Sequence, residues 1–290
     1  MRILVTGRDG QLGKSIKKIV DKKSLNNCEF VFVGRKELDL GKIEGIKSYF
    51  RDNFFDVVVN CAAYTNVDKA EFNKKEANLI NHTAVKEIAR VAKRFNMGLI
   101  HFSTDFVFDG YNNKPYVETD VPSPLNIYGN SKLAGEISVL SIMKSNAIVL
   151  RTGWVYSEYG NNFVEKILNL TKNNSTLNVV SDQIGSPTYA HDLAQTILKI
   201  LDGNMLIPKK NSSEIYHYSN EGSCSWFDFA NEIVTVLGID CSINPINSID
   251  YPTPAKRPKF SLLSKSKISQ QYDLKINNWQ ESLKICLNNI

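Results

Sequence analysis

Tyr128 and Lys132 are the residues whose types and spacing most directly suggest chemistry. A separation of four residues places both side chains on one face of a helix, about one turn apart. A phenol with its ordinary pKa of about 10 is a poor acid–base group at neutral pH, and a nearby ammonium group lowers that pKa by favouring the phenolate. The pair therefore predicts a proton-transferring tyrosine tuned by a lysine, although a surface pair with this spacing is common by chance.

A hydroxyl group follows a predicted strand that ends at Phe102, where Ser103 and Thr104 come next in the chain. Parallel sheets place substrate groups at the carboxyl ends of their strands. Thr104 is therefore predicted to polarise a substrate carbonyl by a hydrogen bond. An ordinary turn threonine is the alternative.

Three glycines, Gly7, Gly10 and Gly13, follow the first predicted strand and open the first predicted helix. Glycine lets the backbone turn tightly and lets a pyrophosphate approach the helix N-terminus, where free amides and the helix dipole favour an anion. Because this turn belongs to the first strand–turn–helix unit of an alternating pattern, it favours a dinucleotide site over a plain loop.

The second predicted strand ends at Val33 and is followed by Gly34 and Arg35. Dinucleotide folds that prefer NAD usually carry an acid here for the ribose diol, whereas an arginine suits a 2′-phosphate. We therefore expect NADPH to be preferred and NADH to be accepted as well, with a plain surface arginine as the alternative. Asp39 and Leu40 are expected to flank the adenine.

Short apolar runs alternate with amphipathic helical patterns through the first half of the chain. The predicted strands are 3–5, 30–33, 56–60, 99–102 and 147–150, and the predicted helices are 12–20, 42–50, 74–95 and 133–143. Continuous apolar strands separated by helices indicate a parallel sheet that is covered on both faces. Right-handed crossovers then give an α/β fold with a doubly wound, Rossmann-type sheet.

The second half is less regular and is predicted to form a smaller mixed lobe that binds the substrate. Its predicted helices are 162–170, 190–201, 226–237 and 278–290, and Ser225 is the expected cap of the third. The prolines between 252 and 258 predict a loop. We expect residues 1–153 to form the dinucleotide-binding domain and 154–290 mainly the substrate lobe, with some segments returning to the first domain.

Composition excludes several classes of protein. The chain of 290 residues carries a formal charge of +5, but it has no dense basic block with interleaved aromatics, so nucleic acid is not an expected partner. It has neither the roughly 18 to 20 consecutive apolar residues that span a membrane nor a signal peptide, which predicts a cytoplasmic protein. Its five cysteines and four histidines show no CxxC or HxxxH spacing, so no metal is expected.

Seven stretches of the sequence together resemble the extended short-chain dehydrogenase/reductases, and within them the dTDP-4-dehydrorhamnose reductase family. They are residues 5–13, with the glycine spacing GxxGxxG, and residues 59–71, 103–110, 124–136, 151–156, 182–188 and 251–258. The resemblance extends through nearly the whole chain. Its set of motifs is specific to the reductase branch, because the glycines and the YxxxK spacing alone indicate only the superfamily.

The resemblance implies an oxidoreductase that transfers a hydride from NADPH or NADH to C4 of a dTDP-linked 4-keto-6-deoxy sugar. In that reaction Tyr128 would supply a proton to the forming alkoxide. Lys132 would tune Tyr128 and hold the nicotinamide ribose, and Thr104 would steady the carbonyl oxygen. The product would be dTDP-L-rhamnose, a precursor for polysaccharide synthesis.

The resemblance also implies two sets of binding residues. The expected coenzyme contacts are Gly7, Gly10, Gln11, Leu12, Gly13, Arg35, Asp39, Leu40, Ala62, Ala63, Tyr64, Thr65, Tyr128 and Lys132. The expected substrate contacts are Val67, Thr104, Asp105, Trp154 and Arg257. Arg257 is expected to reach the substrate pyrophosphate, and a core position is the alternative for Trp154. Asp9 departs from expectation, because an acid inside the glycine turn has no evident benefit beside a phosphate.

Two other functions stay open at this point. One is a sister reductase that acts on another nucleotide sugar or makes the other C4 epimer, and the other is a non-catalytic regulatory binding protein of the same fold. The presence of Tyr128, Lys132 and Thr104 together favours an enzyme. Members of the family differ in metal and dimer use, so a homodimer is compatible with the resemblance.

Overall fold

The computed structural model describes residues 1–22, 28–202 and 212–290. Its strands are β1 (Arg2–Thr6), β2 (Glu29–Val33), β3 (Val57–Asn60), β4 (Gly98–Thr104), β5 (Ala147–Thr152), β6 (Val155–Tyr156), β7 (Thr176–Val180), β8 (Ile184–Gly185), β9 (Thr188–Tyr189), β10 (Glu214–His217), β11 (Cys224–Ser225) and β12 (Ser242–Ile246). Its helices are α1 (Gln11–Lys22), α2 (Ile43–Asp52), α3 (Val67–Phe72), α4 (Lys74–Asn78), α5 (Ala84–Arg94), α6 (Ile127–Met143), α7 (Phe163–Thr171), α8 (Ala190–Asp202), α9 (Trp226–Leu237), α10 (Ser266–Tyr272) and α11 (Trp279–Leu287). A π-helical turn (Leu79–Thr83) joins α4 to α5, and 3₁₀ turns span Asp105–Val107 and Ser248–Asp250.

The central sheet has six parallel strands in the order β10-β5-β4-β3-β1-β2. A hydrophobic cluster lies on each face of this sheet. Ile3 and Val5 of β1 pack in one cluster, and Leu4, which lies between them in the chain, packs in the other. Both faces of the sheet are therefore buried, which explains why its strands are continuous apolar runs. The predicted doubly wound α/β fold is confirmed.

The helix that carries Tyr128 is longer than predicted. It begins at Ile127 rather than at residue 133, because Asn126 caps it by accepting a hydrogen bond from the Gly129 amide at 2.8 Å. The predicted helix 74–95 is also present, but it contains the π-helical turn at Leu79–Thr83. The cap of α9 is a full capping box between Ser225 and Asp228, as its serine predicted.

The second half of the chain contributes to both parts of the molecule. Strand β10 extends the central sheet by pairing with β5, and helix α8 packs its buried face in the same cluster as Ile16 of α1. The rest surrounds a third hydrophobic cluster that contains Tyr156, Phe229 and Trp279. The division at residue 153 stays a prediction.

Hydrogen bonds and an ion pair join the two halves beside α1. The Gln11 side chain accepts hydrogen bonds from Ser157 at 2.9 Å and from Asn162 at 3.1 Å. Lys18 forms an ion pair with the buried carboxylate of Glu158 at 2.7 Å. Throughout the described ranges, every helix is too short or too polar to cross a membrane.

Candidate active site

The N-terminus of α6 brings Tyr128 to the carboxyl end of β4, where Thr104 lies. The side-chain hydroxyls of Tyr128 and Thr104 lie within hydrogen-bonding reach of each other. The Thr104 hydroxyl also donates to Asp105 Oδ1 at 3.0 Å and accepts from the Phe106 amide at 3.2 Å. The structure therefore places the tyrosine and threonine hydroxyls together, as a proton donor and a carbonyl-binding group require.

Lys132 lies one helical turn beyond Tyr128 and is buried. Its ammonium group donates a hydrogen bond to the carbonyl oxygen of Phe102 in β4. Burial lowers the pKa of Lys132 to about 8, against the opposing influence of the Glu136 carboxylate. The Lys132 side chain is thus held by β4, the strand that also carries Thr104.

The pKa of Tyr128 is raised above its ordinary value of about 10, whereas the sequence predicted that a nearby ammonium group would lower it. Burial raises it to about 12; the hydrogen bond from Thr104 lowers it and the nearby charge of Asp105 raises it. The reason is that loss of hydration penalises the phenolate, while Lys132 is engaged with a backbone carbonyl. At neutral pH Tyr128 is therefore a neutral phenol, which is the form that can donate a proton.

Asp105 and Trp154 lie next to each other beside this pair. Burial raises the pKa of Asp105 to about 6, although hydrogen bonds with Ser261 and Thr104 lower it. A side chain at Gly153 would lie only 2.7 Å from both carboxylate oxygens of Asp105, so Asp105 is packed directly under the backbone that leads into Trp154.

Trp154 has an unusual backbone and an unusual ring contact. Its φ is +51°, in the left-handed region that non-glycine residues rarely occupy. Its ring stacks on Trp226 with a centroid distance of 3.4 Å and an interplanar angle of 4°. Both rings are only partly buried. This half-open aromatic stack supports a binding surface more than a core position, and the substrate contact of Trp154 stays a prediction.

The loop at 252–258 lies against the starts of α3 and α6. Arg257 binds Asp68 at 2.7 Å, next to Val67 at the start of α3. The carbonyl of Lys256 accepts a hydrogen bond at 2.9 Å from Asn126, the cap of α6. Val67 and Arg257 are therefore brought to the helix that carries Tyr128, but Arg257 is paired with a carboxylate.

The glycine turn forms a cradle with no room for side chains. Gly7 has a φ of +69°, and a Cβ there would lie 2.7 Å from the amide nitrogen of Ala62. A Cβ at Gly13 would collide with the carbonyl of Gly7. The turn therefore stays close to the loop after β3 and leaves the N-terminus of α1 open to a diphosphate, so these residues fit a dinucleotide.

The side chains of three predicted coenzyme contacts are used elsewhere. Gln11 binds Ser157, Asn162 and the carbonyl of Val155, so its side chain joins the two halves of the chain. Leu40 is buried in one core cluster, and Leu12 packs against the other. Any coenzyme contact by these residues therefore uses their backbone.

Comparison with known proteins agrees with this geometry. The family model described as the RmlD substrate binding domain matches residues 1–290. This chain belongs to the RmlD family. Similar relatives include the dTDP-4-dehydrorhamnose reductase of Aggregatibacter actinomycetemcomitans, 40% identical over 98% of this chain and 97% of the relative. The dTDP-4-dehydrorhamnose reductase of Escherichia coli strain K12 is 36% identical over 100% of this chain and 98% of the relative.

Solved structures of RmlD relatives have the same fold. A dTDP-4-dehydrorhamnose reductase from Clostridium acetobutylicum superposes with a TM-score of 0.92 at 36% identity, covering 100% of this chain and 99% of that one. A dTDP-4-dehydrorhamnose reductase from Bacillus anthracis, solved in complex with NADP, superposes with a TM-score of 0.91 at 33% identity and the same coverage. The full length of this RmlD chain therefore corresponds to the full length of these reductases.

Sequence reasoning missed a buried asparagine that links the two parts of this RmlD site. Asn81, in the π-helical turn, accepts a hydrogen bond from the Tyr64 amide and donates one to the Tyr64 carbonyl, both at 2.9 Å. It also donates to Ser131 at 3.0 Å, and Ser131 donates to the carbonyl of Tyr128 at 2.8 Å. The sequence could have indicated this role, because Asn81 is a polar residue on the apolar face of the predicted helix 74–95.

A buried ion pair behind Lys132 was missed as well. Arg151 of β5 binds Glu136 at 2.8 Å, and both side chains are almost fully buried. Glu136 follows Lys132 by four residues, so both project from the same face of α6. Nothing in the spacing of Glu136 and Arg151 along the chain indicated that β5 would meet this helix there.

The structure leaves the expected absence of a metal as a prediction. Within 1–22, 28–202 and 212–290, no group of three His, Cys, Asp or Glu side chains could hold a metal ion.

Proposed function

We propose that this protein is an NAD(P)H-dependent reductase that converts dTDP-4-dehydro-L-rhamnose to dTDP-L-rhamnose, the last step in the synthesis of that nucleotide sugar. The observation that carries the proposal is the juxtaposition of Tyr128, Thr104 and Lys132 at the carboxyl end of β4. This cluster lies in a chain that matches dTDP-4-dehydrorhamnose reductases over its full length.

When bound, the coenzyme would supply the hydride that reduces the C4 carbonyl of the sugar. Thr104 turns its hydroxyl proton from Asp105 Oδ1 to the carbonyl oxygen and so stabilises the negative charge that develops there. Tyr128 then donates its proton to that oxygen, which is favourable because an alkoxide is a stronger base than a phenolate. Lys132 places a positive charge behind the tyrosine and offers donors to the ribose hydroxyls.

The coenzyme is NADPH or NADH, and the residues that would hold it lie in three places. Gly7, Gly10 and Gly13 would cradle the pyrophosphate at the N-terminus of α1. Residues 62–65, in which Asn81 holds the backbone of Tyr64, would line the coenzyme beside α6. Arg35 and Asp39, which lie 3.4 Å apart at the end of β2, would flank the adenosine.

The substrate would lie between α3, the loop at 252–258 and the tryptophan stack. Val67, Asp105 and Trp154 would contact the sugar and base. Arg257 would exchange its bond with Asp68, 2.7 Å in length, for one with the substrate pyrophosphate. This exchange is feasible because the Arg257–Asp68 pair is partly exposed and such pairs stabilise proteins by only about 1 kcal/mol or less.

The decisive experiment follows NADPH oxidation at the nicotinamide absorbance band with dTDP-4-dehydro-L-rhamnose, and reads the C4 configuration of the product by NMR. We expect turnover and the L-rhamno product. Folded protein that binds NADPH without turnover would contradict catalysis and favour a binding role, whereas the other C4 epimer would contradict the product. A cytoplasmic location and a homodimer stay predictions.

A further inference from the structure

Two arginines and three carboxylates surround the carboxyl end of β2, and we call this group the ribose corner. Its members are Arg8, Asp9, Arg35, Glu37 and Asp39. The glycine turn is anchored here, because the Arg8 amide donates to the carbonyl of Val33 at 3.0 Å. In dinucleotide-binding sheets this position meets the adenosine ribose, where an acid favours a free 2′-hydroxyl and an arginine favours a 2′-phosphate.

Glu37 is held at both ends of its carboxylate. Oε2 accepts a hydrogen bond from the Gly34 amide at 2.9 Å, and Oε1 binds the Arg8 guanidinium at 3.2 Å. Contact with these two groups lowers the pKa of Glu37, with the Gly34 amide as the larger cause, so the carboxylate stays charged at neutral pH. The Glu37 carboxylate therefore already occupies the Arg8 guanidinium that a 2′-phosphate at this position would bind.

Arg35 is in a different situation. Its side chain is 78% exposed, and it forms an ion pair with Asp39 at 3.4 Å. Asp39 is in turn held by the Gly41 amide at 3.0 Å. Arg35 can leave Asp39 by rotating in solvent, whereas Arg8 lies above Gly34, where a Cβ would be 3.1 Å from Arg8 Nη2.

We propose that Arg8 is a second ligand for a 2′-phosphate and that Glu37 sets the coenzyme preference by competing with that phosphate for Arg8. This inference rests on the proposed use of a nicotinamide coenzyme. Glu37 repels a phosphate dianion but accepts a hydrogen bond from a ribose hydroxyl, so it weakens NADPH relative to NADH. The carboxylates around the two arginines would therefore let the protein bind both coenzymes, with only a modest difference in affinity.

The test compares the binding of 2′,5′-ADP and 5′-ADP to the full chain by isothermal titration calorimetry, with no sugar present. Glu37→Gln keeps an oxygen that can accept from the Gly34 amide but removes the charge. We expect it to tighten 2′,5′-ADP by about fivefold, the size of one exposed charge interaction, and to change 5′-ADP less than twofold. Arg8→Gln should weaken 2′,5′-ADP selectively and should abolish the gain from Glu37→Gln in the double variant.

Glu29→Gln is the matched control, because Glu29 lies at the amino end of β2, away from the ribose corner at its carboxyl end, and pairs with Arg2. Equal effects of Glu37→Gln on the two nucleotides, or a gain that survives in the Arg8→Gln background, would overturn the competition. Absence of binding of both nucleotides to the unmodified protein would refute the ribose corner itself. Normal nucleotide selectivity with no sugar reduction would contradict the proposed reaction and leave this inference standing.

Discussion

At the scale of single residues, burial controls the protonation of the catalytic groups more strongly than their neighbours do. The pKa of Tyr128 rises to about 12 and that of Lys132 falls to about 8, and burial is the main cause of both shifts. Each shift favours the neutral side chain. The tyrosine is therefore poised to donate a proton to a reduced carbonyl rather than to remove one from an alcohol.

Replacing Tyr128 with phenylalanine should abolish proton donation with little change in shape. We expect kcat to fall by roughly 10²- to 10⁴-fold, the usual contribution of a general acid, with NADPH affinity nearly unchanged. Steady-state kinetics and coenzyme titration measure the two effects. Tyr49→Phe, on α2, is the control and should retain full turnover. A Tyr128→Phe enzyme with normal kcat would remove this residue from the reaction.

Asp105 illustrates a conflict between stability and function. Its pKa is raised from the ordinary 3.8 to about 6, so between these values the folded protein binds more protons than the unfolded chain. Stability therefore declines as pH rises from about 4 to 6, and the loss is complete above that range. The cause is an ionised carboxylate that is buried beside Thr104.

Asp105→Asn should consequently raise the free energy of unfolding at pH 7 by about 1–3 kcal/mol, and it should lower turnover. Denaturant titrations at pH 7 and pH 4 measure this, because most of the gain should be lost at pH 4, where Asp105 is protonated in the folded state and the pH is close to its unfolded pKa of 3.8. A gain of equal size at both pH values would show that the effect is not electrostatic.

At the scale of elements, α6 is positioned by its first turn. Asn126 caps the helix and binds the loop that carries Arg257, while Gly129 packs against the 3₁₀ turn that follows Thr104. This contact is close enough that a Cβ at Gly129 would collide with the carbonyl oxygen of Phe106. The absence of a side chain at this position therefore sets the distance between the tyrosine and the threonine.

Gly129→Ala should force α6 away from the 3₁₀ turn. We expect a loss of stability of about 1–3 kcal/mol from overpacking, and a reduced kcat because Tyr128 moves with the helix. Gly45→Ala is the matched control: Gly45 is exposed in α2, and the nearest neighbour of an added Cβ is 3.6 Å away. That change should stabilise the protein by about 0.5–1 kcal/mol and leave kcat unchanged. Thermal unfolding and kinetics of both variants decide the point.

At the scale of the whole molecule, the second half of the chain and the central sheet share structure. Strand β10 completes the sheet, α8 packs on α1, and Glu158 binds Lys18 across the boundary. Each element needs the other half of the chain to bury its apolar surface. We therefore expect one cooperative unfolding transition rather than two.

Coenzyme binding tests this coupling, because all three tryptophans lie after residue 153 while the glycine turn lies at the start of the chain. Saturation with NADPH at about 100 times its Kd should stabilise the folded state by about 2.7 kcal/mol. Tryptophan fluorescence and far-UV circular dichroism should then report the same upward shift in Tm. A shift seen by circular dichroism alone would mean that the two halves unfold independently.

The sequence alone determined the class of fold and indicated the candidate catalytic residues, because both depend on short-range patterns. Apolar runs separated by amphipathic helices indicate a parallel sheet wherever the strands later pair, and Tyr128 and Lys132 are neighbours on any helix that contains them. The glycine turn and the hydroxyl of Thr104 likewise lie at the ends of strands that were visible in the sequence.

Only the tertiary structure decided what surrounds those residues. The return of β10 to the sheet, the ion pair of Glu136 with Arg151, and the contact of Arg8 with Glu37 each join segments that are well separated in the chain. The direction of the Tyr128 pKa shift also belongs here, because loss of hydration depends on everything that packs around the phenol. No local pattern contains that information, since burial is a property of the folded chain.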